Sequence, residues 1–433
     1  MKTVHNFVKS ERELFSSSVR SFLPQTAIVP FSKKEYRCVV ERNAVVSEGQ
    51  VIALSEGDGQ NAEALHAPVP GKVTDITQFS VSNGKTKSAV CISMAGSFSY
   101  LGRHQEKTNW KTFSEDYLLS TFSQKGVVNT FYIPKPLCSE IKSCTLSNNR
   151  FLVVRMFDED PSRMTDTFVA TRFTRTVVEG AGIICKAASA KGIVFALPLK
   201  AQFSIDEHAR ELLSDIPYAT VTCDTSRYPA GFPQNIIQQI KKSLVKTDGV
   251  DFTKVNHKCL FIDPETAVSA YEAIVLSIPV VERFVHVTGD LLPSAALFKV
   301  RIGTTIDSLA KQCGGIQGKK PCVIINGRIS GYSVSNMNIP VGKDVKSVEF
   351  VSSSSVANEQ HVAPCINCGK CRSICPEKIY PDIMYRHSIG GKIDDLAILK
   401  TAELCSDCSL CNAVCPSRLP LSQTISLLRS QIQ

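Results

Sequence analysis

Two runs of four cysteines near the end of the chain constrain its fold more than any other feature. The first is CINCGKCRSICP, with Cys365, Cys368, Cys371 and Cys375 followed by Pro376. The second is CSDCSLCNAVCP, with Cys405, Cys408, Cys411 and Cys415 followed by Pro416. Both read C-x₂-C-x₂-C-x₃-C-P. Two residues between successive thiolates let a tight loop curl around one iron–sulfur cubane, so that three sulfurs reach three irons. The fourth cysteine then points away and ligates the other cluster of a two-cluster site. The spacing therefore predicts two 4Fe–4S clusters, one held by Cys365, Cys368, Cys371 and Cys415, the other by Cys405, Cys408, Cys411 and Cys375. It also places each fourth cysteine at the start of a helix, with Pro376 and Pro416 in its first turn, where no intrahelical donor is lost. Structural zinc fits the pattern poorly, because zinc sites use paired C-x₂-C knuckles without a third and fourth cysteine at this spacing.

The chain holds 17 cysteines in 433 residues. Its first residues, MKTVHNFVKSERELF, are charged and lack the apolar core of a signal peptide. Without an export signal, so many thiols point to metal binding or catalysis rather than a disulfide framework. The nine cysteines outside the motifs lie mostly among apolar neighbours and read as small buried hydrophobes. No apolar run of about 18 residues occurs, so no membrane span is expected. The formal net charge of +9 would suit an acidic partner or an anionic surface, and equally a solvated basic surface. The Lys and Arg are dispersed and not interleaved with aromatics, which argues against nucleic acid.

The length predicts several domains, and the fold class expected is multidomain α/β. Residues 1–112 carry short alternating segments (VVSEGQVIAL, HAPVPGKVTDI, AVCISMAG) broken by Gly, Pro and Asn, as in a barrel-sandwich of the biotinyl or lipoyl type. No carrier motif surrounds Lys72, so the barrel has no swinging arm. Residues 113–255 alternate apolar runs (FLVVRMF, GIVFALPL, YATVTCD) with helical stretches such as TFVATRFTRTVVEGAGIICKAAS and FPQNIIQQIKKSL. They read as a Rossmann-like α/β domain with a parallel sheet, yet with no G-x-G-x-x-G turn. Residues 256–350 open on a helix capped by Asp263 with Pro264 in its first turn. Strand, turn, strand and helix follow, as in a β-grasp module, with His286 a structural histidine inside a strand. Residues 351–433 begin with a polar linker and form the helical two-cluster ferredoxin-type domain. There Leu421, Ile425, Leu428 and Ile432 share one helical face.

The order of these segments resembles the RnfC family, the C subunit of the Rnf ion-translocating electron-transport complex, from about residue 21 to the end. HAPVPGKV, Tyr228-Pro229 with Gly231, YEAIVLSIPVVERFVHVTGD, IGTTIDSLAKQCGG and both cysteine motifs carry the likeness. The resemblance implies an electron-transfer subunit, peripheral at the cytoplasmic face of the cell membrane. It would relay electrons between a soluble carrier such as ferredoxin or flavodoxin and the other subunits of the complex. It also implies FMN and NADH sites, and here the chain departs from the family. Where the family's flavin loop is glycine-rich, this chain reads GVVNTFYIP, keeping only Gly126 and an aromatic, Tyr132. Where the family has an Asn-Gly pair before its acids, it reads RMFDEDP, keeping Asp158, Glu159, Asp160 and the proline. Glycines in such a loop allow a phosphate to approach backbone N–H groups, whereas Val127, Val128 and Phe131 add bulk. FMN and NADH binding at Gly126, Tyr132, Asp158, Glu159 and Asp160 is accordingly expected to be weak or lost. The alternative is a diverged site that holds FMN through other donors, and whether the chain has an NADH:flavin catalytic site of its own stays open. Two further readings are a soluble RnfC-like reductase, such as a cobalamin reductase, and a scaffold with structural clusters.

Overall fold

A computed structural model describes residues 19–429, apart from 32–34, 57–61, 83, 133, 145–149, 227, 245, 248, 319–320, 354–361 and 392–394. Ile432 lies outside the described residues. The chain divides into two compact units, Met1–Gly327 with Tyr332–Ser352, and Ser353–Gln433 with Arg328–Gly331.

The larger unit begins with seven strands: β1 (Thr26–Phe31), β2 (Tyr36–Cys38), β3 (Val45–Val46), β4 (Val51–Ser55), β5 (Ala64–His66), β6 (Gly71–Ser80) and β7 (Thr86–Met94). They form two antiparallel sheets, ordered β1-β7-β6-β3 and β2-β4-β5. Alternate residues such as Ala27, Val29, Phe31, Val73, Val90 and Ile92 fill the core between them, as the two-residue period of a strand requires. Lys72 pairs opposite Val45 within the ladder, the place of an ordinary strand residue.

A parallel sheet follows, built from β8 (Leu152–Arg155), β9 (Ile193–Pro198), β10 (Tyr218–Cys223) and β11 (Leu260–Ile262) in the order β10-β9-β8-β11. Its inner strands are continuous apolar runs because helices cover both faces. On one face lie α1 (Thr165–Arg172), α2 (Thr174–Ala187) and a later helix, α4 (Pro264–Val275); on the other packs α3 (Pro233–Ser243). The helical stretch expected near 167–189 is thus two helices, broken at Phe173, whose φ of −120° leaves the helical region. The helix α4 is capped as expected, the Asp263 side chain accepting from the Thr266 N–H with Pro264 in the first turn. It packs against α2 and the parallel sheet, and Glu265 and Glu272 tie it to the module that follows through Arg283 and Lys299. Gly180 permits the close crossing, since a Cβ there would stand 1.9 Å from the Ala267 carbonyl oxygen.

The unit closes with a mixed sheet of β12 (Glu282–Thr288), β13 (Ala296–Arg301), β14 (Pro321–Ile325), β15 (Tyr332–Val334) and β16 (Ser347–Ser352). The order is β13-β12-β16-β14-β15, with β12 and β16 parallel. Helix α5 (Ile306–Gln312) fills one face through Ile306, Leu309 and Ala310. His286 is buried inside β12, and burial lowers it to about 4, so the ring is neutral. Of the nine scattered cysteines, Cys91, Cys138, Cys185, Cys223, Cys259 and Cys313 are buried, and Cys38, Cys144 and Cys322 partly so.

Among the described residues the smaller unit holds five short helices: α6 (Lys370–Ile374), α7 (Pro381–Ile389), α8 (Leu396–Ala402), α9 (Leu410–Ala413) and α10 (Leu421–Arg429). The second cysteine motif repeats the first element by element, a cysteine loop leading into a one-turn helix and then a longer one. Positive-φ residues recur at matching places, Asn367 with Asp407, Gly369 with Ser409, and Lys378 with Arg418. Ile379, Met384, Ala402, Ile425 and Leu428 form its main apolar core. One sequence expectation fails here. Cys375 and Cys415 do not open helices; each follows the end of a one-turn helix, and Pro376 and Pro416 sit in the turn beyond. A residue before proline is pushed out of the helical region, and Cys375 is extended, with ψ 121°.

Candidate metal centre

The loop between Cys365 and Cys371 curls tightly because Asn367 (φ 55°) and Gly369 (φ 69°) are left-handed. It leads straight into α6, which carries Cys371. A single cavity is lined by Cys365, Cys368, Cys371 and Cys415, together with Ile366, Asn367, Lys370, Asp382 and Leu419 among others. The second motif therefore sends its fourth cysteine to the wall of the first loop. Two hydrogen bonds hold the loop to the segment after Cys415: Ala363 N–H donates to the Ser417 carbonyl (3.1 Å), and Ser417 Oγ donates to the Pro364 carbonyl (2.8 Å). Cys375 packs in one apolar cluster with Cys405 of the second loop, and both Cys408 and Cys411 interact electrostatically with it, Cys411 also with Cys371. The first motif thus sends its fourth cysteine toward the second loop.

The donor set fits a thiolate-ligated iron cluster. Four sulfurs face one cavity, and its one acid, Asp382, is already engaged. Arg372 clamps it through Nε (2.7 Å) and a terminal nitrogen (2.5 Å), and Arg386 adds a third contact at 3.0 Å. Those contacts hold the Asp382 carboxyl below its ordinary range. Among the described residues no three His, Cys, Asp or Glu side chains converge as one metal ion would require; the thiols are spread around the cavity instead. Burial, and then the neighbouring thiols, push Cys411 up to about 12, while burial raises Cys371, Cys408 and Cys405 as well. As bare thiols Cys371, Cys405, Cys408 and Cys411 would stay protonated, and a bound cation is what makes thiolates stable there. The Arg372–Asp382–Arg386 clamp was not anticipated from the sequence. Its signal was an arginine directly after the third cysteine and an acid in the first turn of the next helix.

Of the other residues singled out from sequence, Asp158, Glu159 and Asp160 lie just beyond the carboxyl end of β8, where α/β folds bind ligands. Here that end is filled by the chain itself. Arg155, the last residue of β8, is 1% exposed. Its guanidinium stacks 4.2 Å from the Phe131 ring centroid. It donates to the carbonyls of Phe157 (3.0 Å), Gly231 (3.1 Å) and Phe131 (3.3 Å), and to Glu159 (2.9 Å) and Asp166 (3.2 Å). Lys346 reaches Asp166 at 2.9 and 3.0 Å and Asp263 at 2.6 Å. Asp263 also accepts from Thr130 Oγ1 (2.7 Å).

Each predicted contact residue of the crevice already has such work. Asp158 caps α1 by accepting from the Asp166 and Thr167 N–H groups (3.0 and 2.9 Å), and burial followed by repulsion from Asp166 pushes it up to about 6. Glu159 pairs with Arg155 and Arg163, both at 2.9 Å; burial would raise it, but the two guanidiniums hold it below its ordinary value. Asp160 accepts from Ser162 N–H (2.9 Å) and Oγ (2.6 Å). Tyr132 is half-exposed and meets Phe232 edge-on. Gly126 has φ +68°, and a Cβ there would come within 2.4 Å of the Ala64 carbonyl oxygen and 2.7 Å of Lys343 Nζ. Packing alone explains that glycine. Val127 and Phe131 are buried in the core. Arg155 and Lys346, which organise this plug, carried no signal beyond a charge at the end of an apolar strand.

These two regions and the barrel define a class, a barrel-sandwich chain ending in a two-cluster ferredoxin-type domain. Family models agree, the RnfC barrel sandwich hybrid domain matching residues 15–97 and a 4Fe–4S dicluster domain matching 364–420. Within that class the chain is similar to the C subunit of the ion-translocating oxidoreductase complex of Yersinia enterocolitica, 24% identical over 379 residues, 85% of this chain and 52% of that one. The protein of the same name from Pseudomonas aeruginosa is 24% identical over 386 residues, covering 86% and 48%. The C subunit of the proton-translocating ferredoxin:NAD(+) oxidoreductase complex of Clostridium ljungdahlii is 23% identical over 352 residues, covering 80% and 74%. The resemblance to RnfC is thus borne out over most of the chain, although the chain spans about half the length of the first two relatives. Among solved structures, an NAD+-reducing NiFe hydrogenase aligns over 74% of this chain and 63% of its own at 13% identity, with a TM-score of 0.49. That likeness is too weak to carry an argument. No helix among the described residues is long and apolar enough to cross a membrane.

Proposed function

We propose that this chain is an electron-transfer subunit of an Rnf-type ion-translocating oxidoreductase, and that two 4Fe–4S clusters carry its electrons. One observation carries the reading: the cysteine loop repeats, and Cys415, the fourth cysteine of the second motif, lines the cavity of the first. Cys365, Cys368, Cys371 and Cys415 hold one cluster; Cys405, Cys408, Cys411 and Cys375 hold the other. When bound, such clusters accept and release single electrons at potentials set by burial, hydrogen bonds and solvent. The protein's part is to hold eight thiolates at fixed places and to shield them with the cores of the small unit.

The larger unit serves as the scaffold of this protein. We read it as a barrel-sandwich domain over 1–112, a Rossmann-like domain over 113–255 and a β-grasp module over 256–350, with the cluster domain over 351–433. The strand and helix at 260–275 lie in the parallel-sheet layer, which moves the second boundary toward residue 280. The plugged crevice supports loss of FMN and NADH binding, since Gly126, Asp158, Glu159 and Asp160 are spent on packing, capping and ion pairs. Electrons would then come from a soluble carrier protein and pass to partner subunits, with the chain peripheral at the cytoplasmic face of a cell membrane.

Anaerobic purification with iron, sulfide and flavin measured together tests both halves of this reading. About eight iron and eight sulfide per chain are expected for two such clusters, with no retained flavin. Adding FMN and then NADH should leave the clusters oxidised. Stoichiometric flavin with rapid reduction by NADH would overturn the loss of the site, and an iron-free chain would overturn the clusters.

A further inference from the structure

The two cysteine loops repeat in sequence and backbone but not in exposure. In the first, Val362, Ala363, Pro364, Ile366, Asn367, Cys368 and Lys370 are all exposed. In the second, the counterparts of Ile366 and Cys368, Ser406 and Cys408, are buried, while the third cysteine of each motif, Cys371 and Cys411, is buried in both. Ile366, between two of the proposed ligands, is 66% exposed, and Val362 is 56% exposed. An isoleucine held bare on a loop that closes over a cavity has no folding role to explain it.

Among the described residues, the exposed charges beside this apolar tip, Lys370 and Arg418, are basic. Lys370 lines the same cavity as Ile366 and is exposed. Arg418 is exposed and follows Ser417, which is tied by two hydrogen bonds to the first loop. Arg372 stands beside Cys371. Segment 362–370 contains no acid, and Asp382 is buried and held by two arginines. The second loop differs, having Asp407, paired with Arg429, within it and the exposed Glu403 just before it.

We propose that the tip of the first cysteine loop, Ile366 with Val362, rimmed by Lys370 and Arg418, is the docking face for a small acidic electron-carrier protein. An apolar centre with a basic rim is the complement of a carrier whose own cofactor sits among acidic side chains, and such faces steer encounter through charge and hold it by apolar burial. The site rests on the two-cluster reading and specifies which loop meets the carrier. A docked partner comes closest to the thiols of Cys365 and Cys368, not to those of the more buried second loop.

Calorimetric titration of the cluster-loaded full chain with a strongly acidic 2Fe–2S ferredoxin tests the proposal, at low and at high salt. Ile366→Glu is expected to weaken binding about tenfold or more. Lys370→Glu combined with Arg418→Glu should weaken it comparably and remove most of its salt dependence. Leu404→Glu, at the equally bare leucine before the second loop, should leave the affinity unchanged. Iron and sulfide content, measured on every variant, should match the parent. Equal loss from Leu404→Glu, no loss from Ile366→Glu, or binding of a basic carrier as tight as that of the acidic one would each overturn the assignment. Failure of the two-cluster reading would show separately, as absent iron in the parent chain.

Discussion

The carboxyl end of the parallel sheet and the cysteine loops are two places where this fold can present groups to a ligand, and they have been treated oppositely. At the sheet, every candidate group is consumed internally: Arg155 by three carbonyls and two carboxylates, Lys346 by Asp166 and Asp263, Asp158 by a helix N-terminus. At the cysteine loops the thiols make long contacts, such as Cys371 Sγ to Asp382 Oδ1 at 3.7 Å and Cys405 Sγ to Asp407 Oδ1 at 3.7 Å. Hydrogen-bond-forming groups turned inward on each other make a structural element, whereas weak contacts around a cavity leave donors for an outside ion. Gly126 and the Asp158–Asp160 run accordingly serve packing, capping and ion pairs in this fold.

The largest effect should come from breaking the cysteine side. If the fourth cysteines are exchanged, Cys415→Ala should abolish the same electron paramagnetic resonance signal as Cys365→Ala, and Cys375→Ala the same one as Cys405→Ala. Pairing of Cys375 with Cys365 instead would refute the exchange. Complete removal of iron by a chelator should expose the small unit to protease, because its apolar core is a handful of side chains and metal binding supplies much of the folding free energy of such domains. Strands and helices of the larger unit should persist in circular dichroism.

The next effect tests the plug. Lys346→Met leaves two buried carboxylates, Asp166 and Asp263, without their shared cation. Breaking one side of a buried ion network costs about 3–5 kcal/mol, to be read from urea denaturation of the larger unit with iron content unchanged. An effect below about 1 kcal/mol would mean that the crevice is solvated and open to a ligand rather than plugged.

Local pattern carried much of this architecture into view. The apolar runs over 152–155, 193–198 and 218–223 are strands, and Asp263-Pro264 marks a helix start, because each depends on neighbouring residues only. The cavity shared by Cys365, Cys368, Cys371 and Cys415 was equally legible, since chain spacing dictates which thiols can meet. The helix start expected at Cys375 and Cys415 failed through a competing local rule, proline's exclusion of the helical region from the residue before it. Long-range pairing was the harder part. Strand β11 is three residues long and joins the parallel sheet beside β8, far back in the chain, and nothing near Lys346 signals that its ammonium meets Asp166 and Asp263. Arg155 reads as a strand end until Phe131 and Gly231 are brought against it.

The smallest expected effect separates the plug from the ordinary core by pH. Burial pushes Glu265 up to about 7 from its ordinary 4.5, Arg283 at 2.9 Å offsetting only part of it, and Asp158 is likewise raised to about 6. Between about pH 4.5 and 7 the folded chain therefore keeps protons that the unfolded chain has released. Stability must fall as pH rises through that window and level off above it. Asp263 and Glu159 have the opposite sign, being held below their ordinary values by Lys346 and by Arg163 with Arg155. Their contribution is present above the unfolded carboxylate range and is lost only as pH falls below about 4. The two windows barely overlap, so one variant resolves them. Glu265→Gln should flatten the decline between pH 5 and 7, by on the order of 1–3 kcal/mol, while leaving the acid limb in place. Chemical denaturation of the parent and the variant across this range measures it. A decline that persists undiminished in Glu265→Gln would place the responsible proton elsewhere, with Asp158→Asn the variant to compare.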